Sequence, residues 1–444
     1  MDRRNFLFVS IDGLVGDLAW QVRQEGHDVR YAIDNEDEGD IADGFVAKTD
    51  DWEADVPWAD VIVFDDVFGH GTNAERLRAE GKAVVGGTAY TDRLEEEKGF
   101  GQEELADHGV NILPRRQFSD FGKAVEFVRD NPARYVVKPS GEVQNVKRLV
   151  YVGQDDDGSD VIDVLQAYEK AWGHRMKSFE LQRRADGVEV AVGAFFDGDA
   201  FVEPVNVNFE HKKLFPGNVG PATGEMGTSM FWTEPTALFE RTLRPLEDTL
   251  AEEGYVGYID LNCIVNGRGI YPLEFTSRFG YPGIFIQQAG MKTPLSRLLA
   301  DIANGRDPDL QVHRGFQVGV RVCLPPFPFD DEATFVENSK NAAVVFREAF
   351  EGERPPGVHI EDVKRVGPDG STEGVTPADG QWRVAGTSGI PLVVIGRGAS
   401  MRAAQAQAYR RIEDIILPNM YYRDDIGDRW VDDGDRLHSW GYLR

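Results

Sequence analysis

Tyr255-Val256-Gly257-Tyr258-Ile259-Asp260-Leu261-Asn262, then Gly267-Arg268-Gly269, then Leu273-Glu274-Phe275-Thr276-Ser277-Arg278-Phe279-Gly280 is the stretch on which the reading of this chain turns. Two apolar runs flank a glycine turn, the pattern of two antiparallel strands joined as a hairpin. Each run carries an acid at its inner end, Asp260 and Glu274, and Arg278 follows the second acid by four positions. Two carboxylates and a guanidinium held by a hairpin suit a magnesium–nucleotide site. Mg²⁺ takes one or two carboxylates and leaves its other positions to phosphate oxygens and water. Arginine grips phosphate through a planar fork of donors. The same residues also suit a surface hairpin with ordinary charges, and this stretch alone does not decide between the two.

Outward from the hairpin, composition narrows the choice. A chain of 444 residues is long enough for two to four domains and a large buried core. Its net charge is −28, from 76 acidic and 48 basic residues, and lysine supplies only 13 of the basic ones. Such an acidic excess repels nucleic acid and anionic membrane, so neither is an expected partner. The acids are spread along the whole chain and 41% of the residues are hydrophobic, which argues against a disordered acidic tail. The pattern predicts a halophilic protein of a salty cytoplasm, destabilised at low salt where its self-repulsion is unscreened. The two cysteines, Cys263 and Cys323, lie in apolar strand-like runs and read as buried free thiols. Met1-Asp2-Arg3-Arg4 leads into a short strand rather than a signal peptide, and no window approaches a membrane span.

The first hundred residues alternate strand and helix. Asn5–Ser10, Val29–Ile33, Asp60–Phe64 and Ala83–Gly87 are the expected strands, giving an open α/β sheet. Gly13 and Gly16 mark a strand–helix turn that lacks a full dinucleotide fingerprint. A helix is expected from Thr91 to about Gly109, carrying Lys98, and a strand from Ala133 delivers Lys138 at its end. Gly217 to Gly227 reads as a long glycine-rich loop able to cradle anions or close over a substrate. Phe316–Cys323 and Pro391–Gly396 are strands, residues 365–385 are turn-rich, and Ser400 caps an alanine-rich helix running to Leu417.

Taken in order, these pieces resemble the ATP-grasp superfamily, and within it the phosphoribosylamine–glycine ligase (glycinamide ribonucleotide synthetase) family. The resemblance rests on Leu94–Phe100, Val136–Gly141, Glu210–Lys213, Gly220–Gly227, Glu274–Gly280 and Met420–Arg429. It implies an α/β and α+β multidomain architecture. Residues 1–100 would be an N-terminal open α/β (pre-ATP-grasp) domain. Residues 101–310 would be a two-lobed ATP-grasp domain (101–178 and 179–310), and 311–444 a small C-terminal α+β domain. It further implies an ATP-dependent carboxylate–amine ligase working through an acyl phosphate on small-molecule substrates, with Mg²⁺ or Mn²⁺.

Residue by residue, the resemblance matches Lys98 and Lys138 to the lysines that hold the ATP phosphates, with Lys147 adding charge. It matches Glu180, Leu181 and Gln182 to the strand that meets adenine and Glu189 to a ribose contact. His211, Lys212, Lys213, Gly220, Thr223 and Gly224 fall on the substrate loop. Glu274 matches a metal ligand, with Asp260 and Thr276 beside it, and Arg278 a catalytic contact to the transferred phosphoryl group.

Four departures from the family pattern leave the acceptor open. The loop after Lys138 reads Glu142-Val143-Gln144-Asn145-Val146-Lys147-Arg148, without the family's glycines. Thr276 stands in place of a metal-binding asparagine. Gly280-Tyr281-Pro282-Gly283 replaces an acidic Gly-Asp-Pro-Glu signature, and Glu225 replaces a glycine. The N-terminal loop is reduced to Ser10–Gly16, where Asp12 and Asp17 would oppose a phosphate. The alternatives are a ligase for a different amine acceptor and a non-catalytic scaffold.

Overall fold

The computed structural model describes residues 2–140, 143, 149–347, 354–375 and 380–444. The chain divides into two compact units. One comprises residues 1–109, 189–263 and 273–444, the other residues 110–188 and 264–272.

The first unit begins with a four-stranded parallel sheet of β1 (Asn5–Ser10), β2 (Asp28–Ile33), β3 (Val61–Phe64) and β4 (Val84–Val85), ordered β2-β1-β3-β4. The centre of β1 and the whole of β3 and β4 are apolar because both faces are covered. Phe6 and Phe8 join one buried cluster and Leu7 and Val9 another, as parallel sheets require. The chain leaves β1 in both directions, so the loops after β1 and β3 open a crevice at the carboxyl ends of the strands.

The single helix expected from Thr91 is two helices, Ala89–Glu96 and Lys98–Asp107, broken at Glu97, where φ is −100° and ψ is 82°. The first starts with a capping box between Thr88 and Thr91. Close packing explains the break: a Cβ on Gly101 would lie 2.6 Å from the carbonyl oxygen of Leu94. The break puts Lys98 at a helix start.

The second unit is an antiparallel sheet of β5 (Arg115–Phe118), β6 (Tyr135–Ser140), β7 (Tyr151–Val152) and β8 (Ser178–Arg183), ordered β5-β8-β6-β7. Helices Phe121–Asp130 and Ser159–Trp172 supply Val125, Val128, Val161 and Leu165 to its core. Along β6, Tyr135, Val137 and Pro139 are buried while Val136, Lys138 and Ser140 stand on the more open face, the two-residue alternation of a one-sided sheet.

The rest of the chain builds an eight-stranded sheet. It contains β9 (Val188–Phe196), β10 (Phe201–Glu210), β13 (Gly227–Thr233), β14 (Gly257–Asn266), β15 (Gly269–Thr276) and β16 (Phe316–Val322), in the order β15-β14-β9-β10-β13-β16. Leu392–Gly398 and then Val358–Ile360 extend it. The expected hairpin is β14–β15. The expected loop at 217–227 is in part a strand. β11 (Lys213–Phe215) and β12 (Val219–Ala222) pair as a small antiparallel hairpin. Gly220 takes φ +87° there, and a Cβ on it would strike the Phe215 ring at 2.6 Å. The turn-rich stretch also holds order: Val363–Val366 pairs with Gln381–Val384. The alanine-rich helix is Met401–Glu413, its first turn closed by the Ser400 hydroxyl accepting from the Ala403 amide. Cys263 and Cys323 are both buried and free.

Candidate active site

In the first unit, strands β9, β10 and β15 each present a glutamate to one lysine. Lys212, two residues past the end of β10, places its Nζ 3.3 Å from Glu189 Oε1, 3.2 Å from Glu210 Oε2 and 3.2 Å from Glu274 Oε1. Lys98 Nζ lies 3.2 Å from the other Glu274 oxygen. On β14 the same strand face carries Asp260 and Asn262. Asn262 donates to Glu210 at 3.0 Å, and Thr276 bonds to the Asp260 carboxyl. Residues separated by up to 176 positions thus share one charge network.

The protonation states follow from this crowding. Burial would lower the Lys212 ammonium, but Glu210, Glu274 and Glu189 outweigh it and hold it well above its usual range. Lys212 foremost, against burial, and then Lys98 keep the Glu274 carboxylate well below the usual range. Asp260 behaves oppositely: burial first, then Glu210 and Glu95, push it far up, and its Oδ1 has no partner. Glu225 is likewise pushed up by burial and then by Glu210, and its Oε1 is buried without a partner. A buried carboxylate oxygen left unbonded is costly, so such atoms mark where the structure accepts a cost for another purpose.

The donors fit a hard divalent cation: Glu274 and Asp260 offer carboxylate oxygens, one of them unpartnered. Among the described residues no group of three or more His, Cys, Asp or Glu side chains stands ready to hold a metal. An incoming cation would compete with the Lys212 ammonium for the same oxygens.

Two expected substrate-loop residues face elsewhere. His211 is buried, and burial together with Arg429 and Arg423 pushes its imidazole down to about 3, so it stays neutral. Thr223 is buried too, its amide and hydroxyl both donating to the Lys212 carbonyl at 2.8 and 3.0 Å. It therefore sets the path of the chain at Lys212. Lys213, Gly220 and Gly224 are exposed.

Arg278 places Nε 3.0 Å from both Glu95 Oε1 and Asp66 Oδ1 and donates from Nη1 to the Phe279 carbonyl. Burial opposes its charge, and Glu95 and Asp66 restore and strengthen it. Asp17, expected to face a ligand, is fully buried in a structural knot. It pairs with Arg354 and accepts from His359 at 2.7 Å and the Ile360 amide at 3.0 Å. It opposes nothing in the crevice, because its partners come from a segment more than 300 positions away.

The C-terminal motif braces this network from behind. Arg429 donates to the backbone carbonyls of Glu189 at 2.7 Å and Glu210 at 3.2 Å. Arg423 is bidentate to Asp425 at 2.7 Å and also holds the Lys213 carbonyl and Asn218, which pins the β11–β12 hairpin.

In the second unit, Lys138 sits inside β6 rather than at its end and lies opposite Glu180 of β8 in the strand register. Glu180 is paired to Arg115 at 3.1 Å. Leu181 and Gln182 are buried, with Gln182 Nε2 unpartnered. Lys147 lies outside the described residues. The sequence reading gave no site role to Glu210, Asn262, Glu95 or Asp66. The doublet Asp65-Asp66 directly after a buried strand was the available signal for the last of these.

Comparison with known proteins follows the same lines. "Phosphoribosylglycinamide synthetase, ATP-grasp (A) domain" matches residues 96–284. The phosphoribosylamine–glycine ligase of Streptococcus pneumoniae is 24% identical over 393 residues, covering 87% of this chain and 86% of that one. That of Pseudomonas aeruginosa is 27% identical over 367 residues, covering 80% and 79%. Among solved structures, phosphoribosylamine–glycine ligase from Thermotoga maritima superposes with a TM-score of 0.69 at 18% identity, covering 95% of this chain and all of that one. A biotin carboxylase from Campylobacter jejuni, in complex with a β,γ-ATP ligand, gives 0.59 at 11% identity, covering 100% and 98%.

Proposed function

We propose, from its place in the ATP-grasp superfamily beside the phosphoribosylamine–glycine ligases, that this chain is an ATP-dependent carboxylate–amine ligase. A carboxylate is a poor electrophile. Transfer of the γ-phosphoryl group of ATP gives an acyl phosphate with a good leaving group. An amine then attacks the acyl carbon, phosphate departs, and the amine proton passes to solvent or a base. The protein's share of such a reaction is positioning and charge neutralisation.

Lys98 and Lys138 are assigned to the phosphates of ATP, and Arg278 to the transferred group. Glu180, Leu181, Gln182 and Glu189 are assigned to the nucleoside. Lys212 and the 213–224 segment are placed beside the carboxylate substrate. Glu274 and Asp260, with Thr276 orienting Asp260, would hold Mg²⁺ or Mn²⁺, which supplies charge compensation on the phosphates when bound. The division of the chain at residues 100 and 310 belongs to the same proposal, as does adaptation to a salty cytoplasm. Among the described residues no helix is long and apolar enough to cross a membrane.

The observation that carries the reading is the meeting of Lys98 and Lys212 on Glu274, within a network whose Asp260 keeps an unpartnered oxygen. Lysines are held in reserve on the carboxylate that phosphate and metal would share. Glycine, the carboxylate substrate named in the relatives, is the first to offer. Incubation with MgATP, glycine and hydroxylamine in molar KCl tests the step independently of the acceptor. Glycine-dependent ADP release with hydroxamate formation is expected. ADP release that ignores every carboxylate offered would overturn the proposal.

A further inference from the structure

The crevice at the carboxyl ends of β1 and β3 lies at the point where the strand order reverses, where open α/β sheets place their ligands. In such crevices a phosphate is held by backbone amides at a helix start. Here the amides around the start of the helix His70–Ala79, which follows β3, are already taken by the chain itself. The Phe68 amide donates to Glu96 at 2.9 Å, and Gly69 and Gly71 donate to Asp92 at 3.2 and 3.1 Å. Val67 donates to Asp66 at 2.8 Å, Gly13 to the Ser10 hydroxyl at 3.0 Å, and Ser277 to Glu95 at 2.8 Å. The one arginine of these loops, Arg278, is held by Glu95 and Asp66. Each of these donors is committed to an acceptor of the chain itself.

The crevice offers acceptors instead. Asp65, at the end of β3, is buried; its Oδ2 accepts from Ser10 at 2.5 Å and Tyr281 at 3.2 Å, while its Oδ1 has no partner. Facing that oxygen at 3.9 Å is His70 Nδ1, also buried and unpartnered, while the other ring nitrogen of His70 meets Asp34 at 3.1 Å. Asp12 and Asn35 pair at the rim at 2.9 Å. Two orphaned buried atoms face each other at an acid-ringed switch point. A positively charged, hydrogen-bond-donating group would satisfy them.

Resting on the ligase reading, we propose that this crevice selects the amine acceptor, and that the acceptor is a phosphate-free, cationic amine whose donors reach Asp65 and Asp34. Burial and then Asp66 push the Asp65 carboxyl up to about 8, so a bound ammonium would gain by restoring its charge. The amine substrate named in the relatives carries a phosphate, and the donors named above are already engaged within the chain.

Calorimetric titration of the full chain in molar KCl would compare 1,3-diaminopropane and 2-amino-1,3-propanediol with ribose 5-phosphate. Saturable binding of at least one amine is expected, weakened tenfold or more by Asp65→Asn and by the milder Asp34→Asn, with no binding of ribose 5-phosphate. Saturable ribose 5-phosphate binding that either substitution alters would overturn the proposal. So would amine binding absent from the unaltered chain or indifferent to both substitutions. MgATP binding, followed separately with the same samples, reports on the ligase reading: its loss would sink that reading, whereas its retention beside an indifferent amine response sinks only this one.

Discussion

Two clusters of charge, one buried and one half-buried, lie on the same eight-stranded sheet and are built differently. On β16, Arg321 is bidentate to Glu361 at 2.7 and 3.1 Å, with its remaining nitrogen on the Glu225 carbonyl at 3.3 Å. Both oxygens of Glu361 are used, and both side chains are nearly inaccessible. Around Lys212 the contacts run from one ammonium to three glutamates at 3.2–3.3 Å, while Asp260 Oδ1, Glu225 Oε1 and Asn262 Oδ1 are left without partners. Arginine's rigid fork closes its account with one carboxylate, whereas lysine is a movable point charge that can give its place to another cation. Completeness marks the structural pair, and incompleteness marks the site.

Breaking the complete pair should have the largest effect. Arg321→Ala leaves Glu361 buried and unpaired, and about 3–5 kcal/mol of stability should disappear in denaturant titrations. A loss under about 1 kcal/mol would mean the two clusters do not differ as described.

Glu274→Gln should do the reverse. Turnover should fall on the order of 100-fold, the scale for losing one preorganised electrostatic contact, while the melting temperature moves little. Unchanged ADP release would remove Glu274 from the site.

Lys212→Met sharpens the point about exchangeable charge. With the ammonium gone, Mn²⁺ alone should raise the melting temperature of the variant more than that of the unaltered chain. An equal shift would show that Lys212 does not share the cation's oxygens.

Salt acts on the whole surface. With a net charge of −28, the melting temperature should climb as KCl rises from about 0.1 M toward molar concentrations, because the Debye length shrinks from about 10 to about 3 Å. A maximum at low salt would contradict the acidic-coat reading.

The effect of pH concerns the crevice. A carboxyl of ordinary value 3.8 that sits near 8 when folded binds its proton more tightly in the folded state. Between those values the folded chain holds a proton that the unfolded chain has released, so this group makes stability fall as pH rises, and the fall levels off above about 8. Asp65, facing Asp66, Arg278, His70, Tyr281 and Ser10, should therefore impose a downward slope that Asp65→Asn flattens. An unchanged pH–stability profile would place the carboxyl in a more polar setting.

Much of the fold was legible because its signals are local. Two runs around a glycine turn marked β14 and β15, Ser400 marked the start of its helix, and apolar runs marked the parallel strands. Local signals also misled. The glycines of 217–227 read as loop, yet Val219–Ala222 pairs with Lys213–Phe215 and is anchored by Arg423 near the far end of the sequence. Thr91–Gly109 read as one helix, but a contact between Gly101 and Leu94 requires a break. Asp17 and His211 read as ligand-facing and are buried against residues that no spacing rule connects to them.

By itself the sequence determined the elements, the acid-bearing hairpin, the acidic coat and the likeness to the ATP-grasp ligases, because propensity, periodicity and composition act over a few residues or over the whole chain. Which charges neutralise each other and which are left over is set by the folded arrangement. Lys98 and Glu274 are 176 positions apart, Ser10 and Asp65 are 55 apart, and the arginines that brace the site come from the last 25 residues. Coulomb energies and desolvation depend on distances of a few ångströms in space, and separation along the chain does not encode them.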